Sequence, residues 1–68
     1  MAGISLDVLR TGKKYRLINY GERFEFTIED IMANGDFKIK DLHTLEPGQL
    51  RDLYKYGKGK DFEIREIE

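Results

Sequence analysis

The chain has 68 residues, 12 Lys and Arg against 13 Asp and Glu, a formal net charge of −1, one histidine and no cysteine. A chain this short buries only about 60% of the surface its unfolded form exposes; the missing cysteines and lone His43 exclude a disulfide framework and leave too few soft ligands for a structural zinc site. The near-neutral balance gives no global field for nucleic acid, so one small domain over residues 1–68, held by packing or self-association, is expected.

The N-terminal MAGISLDVLRTGKK carries no apolar run of signal-peptide length, nothing downstream approaches a membrane span, and Ala2 rather than glycine follows Met1. No membrane partner, no myristoylation and a cytoplasmic location are therefore expected. Within residues 1–12, Ser5 as N-cap and Gly12 as a stop frame an arm or short helix, Ser5 to Arg10. KYRLIN (14–19) sets Tyr15 and Leu17 against Arg16 and Ile18, which suits a strand partly covered on both faces. After a turn at Tyr20-Gly21-Glu22, the run ERFEFTIEDIM (22–32) has a clear period of two. Phe24, Phe26 and Ile28 take one face, and Arg23, Glu25, Thr27 and Glu29 the other.

Asn34-Gly35 is the dipeptide favoured in two-residue type I′ hairpins. Pairing Ala33 with Asp36 then sets Met32 opposite Phe37, Asp30 opposite Ile39 and Glu29 opposite Lys40. In that register Asp30 points into the apolar face, which is costly for a carboxylate without a partner, and a bulge near it would exchange Asp30 with Ile31. Asp41, opposite Ile28, poses the same problem. Asp30 and Asp41 can be read as two carboxylates lining one site; the plainer reading is a bent, curled sheet whose strand-end aspartates cap turns.

From Glu46 onward a helix of two to three turns is predicted: Pro47 suits the first helical position, Leu50, Leu53 and Tyr54 fall at i, i+3 and i+4, and Gly57 is a natural C′ residue. DFEIREI (61–67) resumes alternation as a closing strand, most simply antiparallel beside the first. The class expected is α+β, mostly β: a three-strand antiparallel meander, a short helix and a closing strand. Element order and strand length over residues 13–67 resemble an SH3-like small barrel, which hides its sheet edges by curling; the analogy does not fix function.

Catalysis finds no nucleophile. Ser5 is the only serine, and His43 lacks any G-x-S-x-G or H-E-x-x-H context. A non-catalytic domain without cofactor or metal is expected. His43 with Asp41 and Glu46 would make a weak metal cluster, against the plainer reading of an exposed imidazole on a connection. Glu25 and Glu29 read as a solvated face matched by Lys38 and Lys40.

The stretch YKYGKGKDF (54–62) is the most suggestive. Gly57-Lys58-Gly59-Lys60 leaves the predicted helix rather than entering one, so it lies at the negative end of the macrodipole, where lysines are favoured and phosphate is not; Asp61 adds repulsion. Lys55, Lys58 and Lys60 with Tyr54 and Tyr56 offer charge beside stacking surfaces, and Lys13, Lys14 and Arg16 would complete a six-residue basic patch if the first and last strands pair. Exposed tyrosines among Tyr15, Tyr20, Tyr54 and Tyr56 suit docking of a peptide or subunit. The function expected is protein–protein interaction, with RNA or single-stranded nucleic acid as the alternative. The candidate binding patch is Tyr56, Lys58, Gly59, Lys60, Lys13, Lys14, Arg16 and Tyr20. Tyr56, Gly59 and Lys60 are the members that no helix cap requires.

Small barrels include RNA-binding Sm-like proteins; Asn19-Tyr20-Gly21-Glu22-Arg23 loosely resembles their first turn, and no basic second motif follows. The basic-alanine run of double-stranded RNA-binding domains is missing. The runs YRLINYGERFEF (15–26) and KYGKGKDFEI (55–64) resemble those of a group of short bacterial proteins of unassigned function. That resemblance implies a small barrel and carries no catalytic residues.

Overall fold

Alternation over Lys14–Asn19 produces β1 in the computed structural model, which describes residues 8–67. Tyr15, Leu17 and Asn19 point inward and are buried, while Lys14, Arg16 and Ile18 alternate to the other face. Tyr20 and Gly21, with φ of 50° and 77°, then reverse the chain between the paired residues Asn19 and Glu22. Positive φ at both central positions is the type I′ signature. This tight hairpin is thus closed by Tyr-Gly, not by Asn-Gly.

β2, Glu22–Ile31, is the longest strand and pairs antiparallel with β1, Leu17 opposite Phe24 and Tyr15 opposite Phe26. The loop to β3, Phe37–Asp41, is one residue longer than a two-residue turn. The Met32 amide donates to the Asp36 carbonyl (2.7 Å), the Gly35 amide to the Met32 carbonyl (2.9 Å), and only Gly35 has positive φ, 88°. That is a three-residue loop with glycine in the left-handed position, the second common use of Asn-Gly. Ile31 therefore faces Phe37, and a bulge between Ile28 and Asp30 restores Ile28 opposite Ile39. The expected bulge is present, and Asp30 is exposed beside Lys38; Ile31, however, stays 52% exposed at the sheet's end rather than moving inward.

The helix predicted from Glu46 is replaced by a strand and one turn. β4, Pro47–Gln49, pairs antiparallel with β3, and only Leu50–Leu53 coils, as a 3-10 helix. Gly48 is a poor helix former, and the free edge of β3 offers the segment ladder hydrogen bonds that an isolated short helix cannot match. Pro47 sits at the start of an edge strand, where its missing N–H costs least. Leu50, fully buried, plugs the core from the 3-10 turn. β5, Glu63–Ile67, pairs antiparallel with β1 as expected, Ile64 opposite Leu17.

The result is one five-stranded antiparallel sheet in the order β4-β3-β2-β1-β5, which is mostly β with little helix and is not closed. Its core gathers Leu9, Tyr15, Leu17, Phe26, Ile28, Ile39, Leu50 and Ile64, flanked by half-buried Phe24, Phe37, Leu53 and Phe62. The helix expected over Ser5 to Arg10 begins outside the described residues; Leu9 is 4% exposed, and the Arg10 amide donates to the Tyr15 hydroxyl at 2.9 Å. Asp36 is also buried. Its Oδ1 accepts from the Phe37 amide, and Oδ2, with no hydrogen bond, faces Arg51 Nε at 3.6 Å. No helix among the described residues is long and apolar enough to cross a membrane.

Candidate interaction groove

Asn19, the last residue of β1, organises the 54–62 stretch. Its Nδ2 donates to the carbonyls of Leu53 (3.2 Å) and Gly57 (3.0 Å), and its Oδ1 accepts from the Gly59 amide at 2.7 Å. Asn19 is 4% exposed, so these three bonds satisfy an otherwise costly buried amide. Two residues on, Asp61 accepts the turn amides of Tyr20 (2.8 Å) and Gly21 (2.7 Å). The Gly21 amide, assisted by that of Tyr20, holds the Asp61 carboxyl below its ordinary range.

The Tyr20 ring lies on the loop it helps to hold. A Cβ on Gly59 would stand 3.0 Å from Tyr20 Cδ1 and 3.0 Å from Asp61 Oδ1, and Gly57 adopts φ of +110° with the Tyr20 hydroxyl 3.2 Å from its virtual Cβ. The second glycine of Gly57-Lys58-Gly59 is therefore the consequence of a close ring-to-backbone approach. Its amide points into Asn19, and the Gly57 amide donates to the Tyr54 carbonyl. A loop whose glycine amides are spent in this way does not form an anion cradle.

The predicted basic patch is divided. Lys58 Nζ sits 5.5 Å from the Tyr54 ring centroid and 5.1 Å from that of Phe62, and Lys55 Nζ lies 5.3 Å from the Tyr56 ring. Those rings form an edge-on pair, Tyr54 with Phe62, at 5.9 Å. Lys60 is exposed. Lys14 pairs with Thr27 and Ile67 at the start of β1, whereas the glycine loop packs on Asn19 at its end. Five residues of strand, about 17 Å, separate Lys13 and Lys14 from Lys58 and Lys60. Arg16 faces outward and pairs with Glu25 at 3.1 Å. Pairing of the first and last strands is real, yet it does not assemble the six cations.

Two neighbouring depressions of about 170 Å³ each share Phe24, Asp52 and Leu53 in their linings. One extends past Gly48 and Gln49 toward Thr44 and Glu46. The other runs to Tyr20, Tyr54 and Tyr56. Phe24 and Leu53 form the shared apolar floor, while Tyr20 and Tyr56 stand 62% and 86% exposed at one end. Each is smaller than the roughly 300–1,000 Å³ of a drug-sized ligand site. Burial, with the Asp36 carboxylate nearby, pushes the Tyr54 hydroxyl up. At the other end the Glu25 carboxylate accepts from Arg16 Nε at 3.1 Å and meets His43 Nε2 at 2.7 Å. Those two hydrogen bonds, His43 first, hold its carboxyl low.

The Asp30–Asp41 site is not formed. Asp30 Oδ1 accepts from the Ile31 amide, and Asp41 Oδ1 caps the next turn through the amides of His43 (2.7 Å) and Thr44 (2.9 Å), which keeps its carboxyl low, Thr44 contributing most. Glu25 pairs with His43 and Arg16 rather than Lys38 and Lys40, because the bulge and loop shift place Thr27 opposite Lys40. No three His, Asp or Glu among the described residues are grouped to hold a metal. Asn19, Glu22, Phe24, Asp52 and Asp61 were not in the predicted patch. The alternation over β1 put Asn19 on the inward face, and a polar residue there was the available signal.

Compared with protein families, curated proteins and solved structures, the chain matches none.

Proposed function

We propose that this domain is a non-catalytic protein-interaction module that docks an extended segment of a partner along the groove floored by Phe24 and Leu53. The observation that carries this reading is that the two depressions share the side chains of Phe24 and Leu53, the second being lined as well by the exposed rings of Tyr20 and Tyr56. An apolar strip flanked by large, stiff aromatics gives contact area at low entropic cost. The architecture fits the same reading as an open SH3-like arrangement, with the 3-10 turn between β4 and β5 and with β1 shared by β2 and β5. Nucleic-acid binding is the weaker reading, since Lys13 and Lys14 lie at the start of β1, Lys58 and Lys60 beyond its end, and Arg16 is paired with Glu25.

Amide shifts on titration with a degenerate pool of octapeptides test the proposal. Shifts concentrated at Phe24, Gly48, Gln49 and Leu53 are expected; no shifts with any peptide overturn it. Salt-sensitive shifts at Lys58 and Lys60 with single-stranded RNA, and none with peptide, would install the alternative.

A further inference from the structure

The groove is charged on one side only. Glu22, Glu25, Asp41, Glu46 and Asp52 line its two halves, and no Lys or Arg lines either, in a chain with nearly equal numbers of both signs. Glu25 and Asp41 are already engaged, the first by Arg16 and His43, the second by turn amides. Glu22, Glu46 and Asp52 have no ion-pair partner among the described residues. Of the cations, Lys58 and Lys55 rest over the Tyr54 and Tyr56 rings, 5.5 and 5.3 Å from the centroids, without lining the depression. Strand register sets Lys14, Arg16, Arg23, Lys40 and Arg65 on the outward face of the sheet, cross-strand from one another or from Glu25, Thr27 and Ile18.

At the tyrosine end two of the carboxylates without an ion-pair partner, Glu22 and Asp52, share a depression with Tyr20, Tyr54 and Tyr56. Aromatic faces attract a cation through the ring quadrupole, and carboxylates at the rim supply hydrogen-bond acceptors for a guanidinium or ammonium. A hydrocarbon stem can lie on Phe24 and Leu53 while its charged head reaches the rim. We infer that this depression receives an arginine or lysine side chain, so that the segment docked in the groove is a basic peptide. The inference rests on the docking reading above and names the chemistry of its ligand. Opposite potentials across the contact steer encounter and reject acidic partners.

The experiment uses the whole chain and three acetylated, amidated heptapeptides, Gly-Ala-Arg-Ala-Pro-Ala-Gly and its citrulline and glutamate counterparts, followed by amide shifts. The arginine peptide is expected to bind about tenfold more tightly than the citrulline peptide, the glutamate peptide most weakly, with shifts at Tyr20, Asp52 and Tyr56 that diminish with salt. The double substitution Glu22→Gln with Asp52→Asn should bring arginine binding down to the citrulline level. Tyr20→Asn, which suits the left-handed turn position, should weaken binding while thermal unfolding stays cooperative. Equal affinity for arginine and citrulline peptides, with shifts in the groove, overturns the inference and leaves the docking reading standing. No shifts with any of the three, nor with the octapeptide pool, overturns both. Shifts at these same residues that grow with protein concentration in the absence of peptide would place a second copy's basic face there, and also overturn it.

Discussion

The Gly59 amide donates to Asn19 Oδ1 at 2.7 Å, joining two residues forty positions apart. Through this bond and those from Nδ2 to Leu53 and Gly57, one buried amide side chain fixes both ends of the loop that carries Tyr54 and Tyr56. Asn19→Ala leaves two carbonyls and an amide without these partners in a part-buried site. A loss of roughly 2–4 kcal/mol in stability is expected, measured by urea unfolding. Asn19→Asp should cost at least as much, because it sets a carboxylate oxygen against the carbonyls that Nδ2 now satisfies.

Gly59 also bears the Tyr20 ring. Gly59→Ala brings a methyl to 3.0 Å from ring carbon and carboxylate oxygen, and Tyr20, 62% exposed, is the side chain able to move. A cost of about 1 kcal/mol is expected, together with altered Tyr20 ring resonances. In a Tyr20→Asn background the same alanine should cost distinctly less. Additive effects in this double-mutant cycle would refute a ring-to-glycine contact.

How much of this was legible beforehand depended on the range of the interaction. β2 was readable because its alternation, Phe24, Phe26 and Ile28, reports local pleat and burial together. The hairpin after it is one residue longer than the sequence predicts, since Asn-Gly serves both a two-residue turn and a three-residue loop. Leu50, Leu53 and Tyr54 satisfy helical spacing over a single turn, too short to outweigh pairing of Pro47–Gln49 with β3. Charges adjacent in the sequence suggested one basic patch, yet the length of β1 keeps its halves apart. Asp61 looked like a source of repulsion beside lysines; its actual role, clamping the Tyr20-Gly21 turn, depends on a partner no local rule can see.

Acid should loosen the molecule through three carboxylates. Asp61 is held low chiefly by the Gly21 amide, Asp41 by the Thr44 amide and Glu25 by His43. Each has a folded value below its unfolded value of about 3.9 for Asp or 4.3 for Glu. Their stabilising contribution is present above those unfolded values and is lost as pH falls through the depressed folded ones. Thermal midpoints should therefore hold from neutrality to about pH 5 and decline below about pH 4. Asp61→Asn should lower the midpoint at neutral pH and reduce the acid slope. An unchanged slope would show that the clamp carries no linked stability.

Asp36 and Arg51 test the far side of the core. The Asp36 side chain is 4% exposed and, among the described residues, its Oδ2 has only Arg51 Nε, at 3.6 Å, to oppose its charge. An exposed pair at that distance would contribute about 0–1 kcal/mol. Here removal of the cation strands a buried carboxylate, and Arg51→Met, which keeps the aliphatic stem, should cost roughly 1–3 kcal/mol. Neutralising Asp36 in the same background removes the stranded charge, so Asp36→Asn combined with Arg51→Met should be less destabilised than Arg51→Met alone. Equal or greater loss in the double variant would show that Asp36 acts through the hydrogen bond from the Phe37 amide rather than through its charge.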